Sequence, residues 1–390
     1  MSEIVSGLEG IFVAKTRTSR VDGEAGKLTI GGFPVERLAP AAAFEEVVFL
    51  LWEDRLPTQA EYRALRDDLS SRRQIPAEAL LLLRRAADRN LHPMDALRIG
   101  ASTLSLVEED PLADTRAANV SRARTLLAAF PTLAAAYARL CAGAEPIQPD
   151  SSLGHTANYL YMLTGERPAE NAVRALETYL NTVIDHGMNA STFSSRVIVS
   201  TRSDLTSAVV GAIGALKGPL HGGAPGPALD MVFEIQKRSK ISGRTVEVEA
   251  RQWAEETIAA GDRIMGFGHR VYKVRDPRAE VLNEAAAQLF ADRSDASLYR
   301  DARIVEKELV ATLALRKPDR RLETNVEFYT ALVLHGIGLQ ADLFSPTFAV
   351  ARVGGWTAHV LEQIDDDRLI RPRAMYVGDF DRAWTPLAER

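Results

Sequence analysis

The chain has 390 residues, 46% of them hydrophobic and 25% charged, and a formal net charge of -5. That composition belongs to a folded globular protein rather than a disordered one, and the length exceeds one ordinary hydrophobic core, so two domains are expected. The negative balance excludes a general pull toward nucleic acid or an anionic membrane, so an anionic ligand has to be held by a local basic cluster.

The opening Met1-Ser2-Glu3-Ile4 lacks the basic-then-apolar pattern of a signal peptide. No apolar run approaches the roughly 20 residues that span a bilayer. The single cysteine, Cys141, cannot form an intramolecular disulfide, which suits a reducing compartment. A soluble, cytoplasmic chain with no membrane or nucleic-acid partner is expected.

Helical periodicity dominates from the N-terminal side onward. Lys27 to Ile30, before Gly31-Gly32, is the only segment that reads as a strand or hairpin. Ala41 to Trp52 and Leu80 to Ala87 repeat apolar residues at helical spacing. Pro146, Pro149, Asp150 and Ser151 mark a loop before a helix containing Tyr159 to Leu163. Val173, Leu176, Leu180, Val183 and Ile184 form one apolar face, and that helix should close near His186-Gly187. The run from Gly218 to Pro227 is rich in breakers and suits a hinge between domains. Gly266-Phe267-Gly268-His269 opens a further irregular stretch to Arg278, and Ile304 to Leu315 is again helical. The expected class is all-α, with no repeat or coiled-coil heptad.

Three of seven histidines, His186, His221 and His269, sit beside glycine-rich breaks. A lone histidine is ordinarily a surface or hydrogen-bonded structural residue, and His92, His155, His335 and His359 are read that way. Three at loop junctions can instead be aimed into one cleft. Close histidine or cysteine pairs are missing, so no metal site is expected. Neither a dinucleotide-binding turn nor a phosphate-loop lysine motif is complete. From His269 to Arg278 the chain gathers Arg270, Lys273, Arg275 and Arg278 against Asp276 alone. Such a segment is either a solvated charged loop or a seat for phosphates and carboxylates.

Gly266-Phe267-Gly268-His269-Arg270-Val271-Tyr272-Lys273 through Asp276-Pro277-Arg278 resembles the signature of the citrate synthase family. So do Ser19 to Gly23, Phe44-Glu45-Glu46 to Thr58, His92 to Arg98, Asn158 to Met162 and Asp185 to Phe193. Gly218 to Ala224, Ala349 to Arg352 and Arg371-Pro372 agree in the same order. The resemblance implies a two-domain helical fold, a large domain from residues 1–222 and 334–390 and a small mobile one from 223–333. It implies a homodimer with shared active sites that condenses oxaloacetate with an acyl-CoA, the thioester being a substrate and no cofactor being required. His221 would then hydrogen-bond the thioester oxygen, His269 would polarise the oxaloacetate carbonyl, and Glu327 would remove the α-proton. His186, Arg278 and Arg352 would hold oxaloacetate, joined by Arg371 from the neighbouring subunit, and Lys273 would serve the CoA phosphates.

Two positions depart from the family pattern. Glu327 stands where the usual base is aspartate, and one extra methylene moves the oxygens by about 1 Å, a displacement that can cost on the order of 100-fold in rate. Pro225 stands where relatives often carry asparagine. Acetyl-CoA, giving citrate, is the leading acyl donor. Propionyl-CoA, giving 2-methylcitrate, is the alternative, because pockets separate one methylene by only about 1–3 kcal/mol. A non-catalytic homologue that binds CoA or a dicarboxylate is the alternative of another kind, kept open by Glu327 and Pro225.

Overall fold

The structure, a computed structural model, describes residues 4–108, 110, 113–222, 225–291 and 293–390, the side chain of Pro225 excepted. Among them are sixteen α-helices and one three-stranded antiparallel sheet. The expected helices appear as Phe44–Glu53, Ala77–Asp88, His155–Thr164, Glu170–Val183 and Ala296–Arg316. Helix Glu170–Val183 ends earlier than expected, so His186 lies in a loop, where Gly187 takes a φ of +59°.

The sheet is larger than the sequence suggested. Lys27–Ile30 (β2) is its middle strand, paired with Ser19–Asp22 (β1) on one side and Phe33–Pro34 (β3) on the other. Strand β1 carries one apolar residue among four, too few to show an alternating pattern.

Two long helices, Arg116–Cys141 and Phe344–Asp366, pack together at the centre of one group of helices. Every residue from Leu126 to Tyr137 is buried, which is why that helix lacks the polar stripe of a surface helix. Alanines and glycines let neighbours approach closely. A Cβ on Gly355 would lie 2.2 Å from the Ile184 carbonyl oxygen, so only glycine lets the final helix lie against the His186 loop.

A second group comprises Pro225–Ser242, Val246–Ala260, Pro277–Phe290, Ala296–Arg316 and Val326–Gly336, packed on one another. Pro277–Phe290 and Val326–Gly336 also reach across to Glu170–Val183. The helix starts bearing Arg278 and Glu327 are thereby brought toward the His186 side. Within the expected hinge, Gly223 and Ala224 lie outside the described residues. No helix among the described residues is long and apolar enough to cross a membrane.

The β1–β2 hairpin ties the two sides together. Ser19 Oγ accepts the Gly187 N–H at 2.8 Å and donates to Asp185. At the other end, the Lys273 N–H donates to the Gly23 carbonyl at 3.0 Å. A Cβ on Gly23 would fall 2.2 Å from the Val271 carbonyl oxygen, far inside contact distance. Gly23→Ala should therefore push the 271–273 segment away, costing on the order of 1–3 kcal/mol as an overpacked site. A displacement near 1 Å should also slow turnover by up to about 100-fold. Thermal melting and steady-state rates check this; unchanged values in both would show that the hairpin does not set that segment.

Candidate active site

The N-terminus of helix Pro277–Phe290 organises the first part of the site. Asp276 caps it, its Oδ1 accepting the Arg278 N–H at 3.0 Å. The same carboxylate grips the Arg278 guanidinium with two bonds, Nε to Oδ1 at 3.0 Å and Nη2 to Oδ2 at 2.7 Å. Both residues are buried, and Nη1 has no protein partner among the described residues. Paired on one edge, Arg278 is held rigidly with a donor to spare.

The rings of His269, Tyr272 and His186 cluster beside it. The His269 and Tyr272 rings are 4.8 Å apart, and His186 meets both edge-on at 5.6 and 5.5 Å. His186 Nε2 lies 3.1 Å from the Tyr272 hydroxyl. His269 Nδ1 accepts two main-chain N–H groups, from Val271 and Tyr272, each at 3.0 Å. That pattern assigns the ring hydrogen of the neutral form to Nε2, which lies 3.4 Å from Arg278 Nη2, beside the seat that the guanidinium offers an anion. Burial, helped by the Arg278 charge, lowers the His269 pKa to about 4. His186 is held well below its ordinary value by burial, Arg278 and His269.

His221 belongs to the helix start at Ala190–Val199. The Ser191 N–H points at His221 Nε2 at 3.3 Å, and the Ser191 hydroxyl is 2.8 Å from the same nitrogen. The main-chain N–H is a fixed donor, which makes Nε2 its acceptor and places the hydrogen of the neutral ring on Nδ1. Ser191 is itself fixed by the Trp356 indole N–H at 3.0 Å and by Asn189 at 2.8 Å. Burial and the Arg352 charge lower the His221 pKa to about 4. All three imidazoles are neutral near pH 7.

Arg352, 1% exposed, is the least compensated charge in this region. Its Nε donates to the Val183 carbonyl at 2.7 Å, and the guanidinium lies over the Phe348 ring at 4.5 Å. No carboxylate pairs with it within 4 Å among the described residues, and burial pulls its pKa down to about 10. A buried guanidinium without a counter-ion is costly unless an anionic ligand supplies one.

Glu327 occupies the first turn of helix Val326–Gly336, its N–H accepted by the Asn325 side chain at 2.9 Å. Its half-buried carboxylate has no hydrogen-bond or ion-pair partner among the described residues. Burial raises its pKa, opposed by Arg278 and Arg263 and helped by Asp276. A raised carboxylate with free oxygens suits a general base.

Two expected residues stand differently. Lys273 is exposed, its Nζ 3.3 Å from the Arg270 carbonyl, open to solvent-borne phosphates. Arg371 is exposed on the segment after the last long helix and bonds to no other described residue. Several contributors escaped the sequence reading. Ser191, Asn189 and Trp356 orient His221, Asp276 fixes Arg278, and Tyr272 braces two imidazoles. His359, read as structural, lies buried beside Asp185, 3.2 Å from Oδ1, with Arg196 Nη1 3.1 Å from its Nδ1. Burial pushes the Asp185 pKa up, but His359, Arg352 and the Ser19 hydroxyl outweigh it and hold the pKa at about 2. No cluster of three or more His, Cys, Asp or Glu able to hold a metal occurs among the described residues.

Neutral imidazole donors, two buried guanidiniums and an unpaired carboxylate on a helical scaffold define an enzyme built for a small dianion. Residues 7–373 match the family model described as citrate synthase, C-terminal domain. A citrate synthase of Haloferax volcanii is 40% identical, covering 100% of this chain and 99% of that protein. A 2-methylcitrate synthase of Mycobacterium tuberculosis is 37% identical over 97% of this chain and 92% of its own. The solved ternary complex of carboxymethyl coenzyme A and oxaloacetate with citrate synthase from Thermoplasma acidophilum superposes with a TM-score of 0.89, at 29% identity and full coverage of both chains. The chain belongs to the citrate synthase family.

Proposed function

We propose that the chain condenses acetyl-CoA with oxaloacetate and hydrolyses the resulting thioester, releasing citrate and CoA. The observation that carries this reading is Arg352, a buried guanidinium with no protein carboxylate, set near Arg278 with its spare donor. Together they can neutralise both carboxylates of oxaloacetate, with His186 completing the seat. The Glu327 carboxylate takes a proton from the acetyl methyl group while His221, donating from Nδ1, stabilises the enolate oxygen. The enolate carbon attacks the oxaloacetate ketone, whose oxygen draws the Nε2 hydrogen of His269. Water then cleaves the thioester. Neutral imidazoles suit both tasks, because preplaced donors stabilise developing oxyanions without an ionised partner. The CoA thioester is a substrate, with Lys273 near its phosphates, and no separate cofactor is invoked.

The two groups of helices support two parts that close on the substrates and exclude water, residues 1–222 with the C-terminal stretch and the stretch from 223. The second boundary falls after Gly336, because helix Val326–Gly336 packs whole in the second group. The C-terminal segment supports a homodimer. It leaves Met375, Tyr376, Val377, Phe380, Trp384 and Leu387 exposed, an apolar surface unusual for a lone subunit and suited to a second copy. Arg371 lies on that segment and would join the neighbour's oxaloacetate seat. A cytoplasmic location fits the single cysteine.

Release of free thiol with each acyl-CoA tests the reading. Acetyl-CoA should give the larger kcat/KM; a preference for propionyl-CoA would reassign the acyl donor. No thiol release from either donor, alongside measurable CoA binding, would leave a binding protein instead.

A further inference from the structure

We propose that Asn325 is a positioning residue that sets the spacing between Glu327 and His269, one carboxamide holding both segments at once. This rests on the roles proposed above for those two side chains. Asn325 is buried at the junction of the 266–269 loop and helix Val326–Gly336. Its Oδ1 accepts the N–H of Glu327 itself at 2.9 Å, and its Nδ2 donates to the Gly268 carbonyl, next to His269, at 2.8 Å. The orientation of the amide is fixed from both ends, since a main-chain N–H requires the oxygen and a carbonyl requires the nitrogen.

Main-chain bonds lace the same segments. The Asn325 N–H donates to Gly266 at 2.9 Å, and the Gly268 N–H donates to Glu323 at 2.7 Å. These align residues 323–325 with 266–268 whatever side chain stands at 325. They stop one residue short of His269 and two short of Glu327. Asp276 adds a link, its N–H donating to the Thr324 carbonyl at 3.2 Å and its Oδ2 accepting the Val326 N–H at 3.3 Å. Among the described residues only the carboxamide joins the Glu327 N–H to the Gly268 carbonyl.

An ordinary helix cap explains only half of this. Serine, threonine, aspartate and asparagine all accept from the first turn. Only asparagine among them carries an amide donor on its second branch, and here that donor is used on the loop of the other reacting side chain. Asn325→Asp keeps the cap, removes the donor and sets a carboxylate oxygen against the Gly268 carbonyl. Asn325→Ser caps with a shorter, uncharged arm that does not span to Gly268, and so controls for the added charge.

Both variants, made in the full chain, should lower kcat by roughly 10- to 100-fold, the scale of misplaced reacting groups. The KM for oxaloacetate should change little, because Arg278 and Arg352 remain. Two further readouts separate positioning from stability. The primary isotope effect with trideuterated acetyl-CoA should rise, reporting a misplaced Glu327. The carbon-13 shift of bound oxaloacetate labelled at its ketone should move back toward the free value, reporting weaker polarisation by His269. A lower melting temperature with kcat, isotope effect and carbonyl shift all unchanged would make Asn325 a helix cap only. A change in one readout alone would overturn its double role. If turnover of the parent enzyme survives Glu327→Gln, the assignment of the base has failed, and this inference falls with it for that separate reason.

Discussion

Replacing Glu327 with glutamine should lower kcat by about 100- to 10,000-fold, the usual contribution of a positioned general base. Oxaloacetate binding should survive, because the carboxylate makes no bond to the residues proposed to hold it. Calorimetric titration with oxaloacetate and a thiol-release assay check the two halves together. The pH profile follows from the same group. Burial raises the Glu327 pKa above the ordinary value of 4.5, and the base works only when ionised. Activity should therefore fall as pH drops through that raised value, giving an acid limb in kcat/KM above pH 4.5. His221 and His269, with pKa values of about 4, stay neutral across most of that limb. An acid limb below pH 4 would assign it to the imidazoles and remove Glu327 from the role. Glu327→Asp is the companion. A gain would mean that the longer arm overshoots the methyl group; a loss of 10-fold or more would mean that the site is built around glutamate.

Arg352→Met should abolish measurable oxaloacetate saturation, while the ligand-free protein melts no lower than the parent. Losing one member of a buried charged contact typically costs about 2–5 kcal/mol, so kcat/KM should fall by roughly 30- to 4,000-fold. The stability half runs the other way. In the free protein the guanidinium has a carbonyl and a ring for company but no carboxylate within ion-pair distance. The Asp185 charge acts on it from beyond ion-pair distance, and His359 also holds Asp185. Replacing this unpaired buried charge with an apolar chain of similar length should therefore be neutral to stabilising. Adding oxaloacetate should raise the melting temperature of the parent and leave the variant unmoved. A variant that melts well below the parent and still saturates normally would mean that Arg352 is structural.

Much of the helical architecture was legible because its apolar residues recur at helical spacing, as in Val173, Leu176 and Leu180. The limits of elements were less so. The helix expected to run to His186 stops at Val183, since the loop that follows is held by Asp185, Ser19 and Gly187 from outside the helix. Histidines beside glycine breaks pointed toward His186, His221 and His269, and the structure does place His186 and His269 in contact. His359 was read as a hydrogen-bonded structural residue, and it is one, although its partners could not be named from the sequence. It sits inside helix Phe344–Asp366, a turn after Gly354-Gly355, and only the fold brings it to Asp185. Ser191 and Trp356 were equally invisible, being 165 residues apart before they meet at the hydroxyl that orients His221. Asp276 could have been found, because a lone acid among four bases two residues before Arg278 is already a pattern.

The hairpin between β1 and β2 bears on how such a chain can be recombined. Its base is bonded to the loop of His186 and its tip to the stretch after His269, so those loops are matched through residues about 250 positions upstream of the second. A chimera that exchanges the 266–278 stretch for that of a relative inherits a tip shaped for the original partner. Transplants should succeed when residues 19–26 travel with the insert, making the hairpin part of one heritable unit with a loop far from it in sequence.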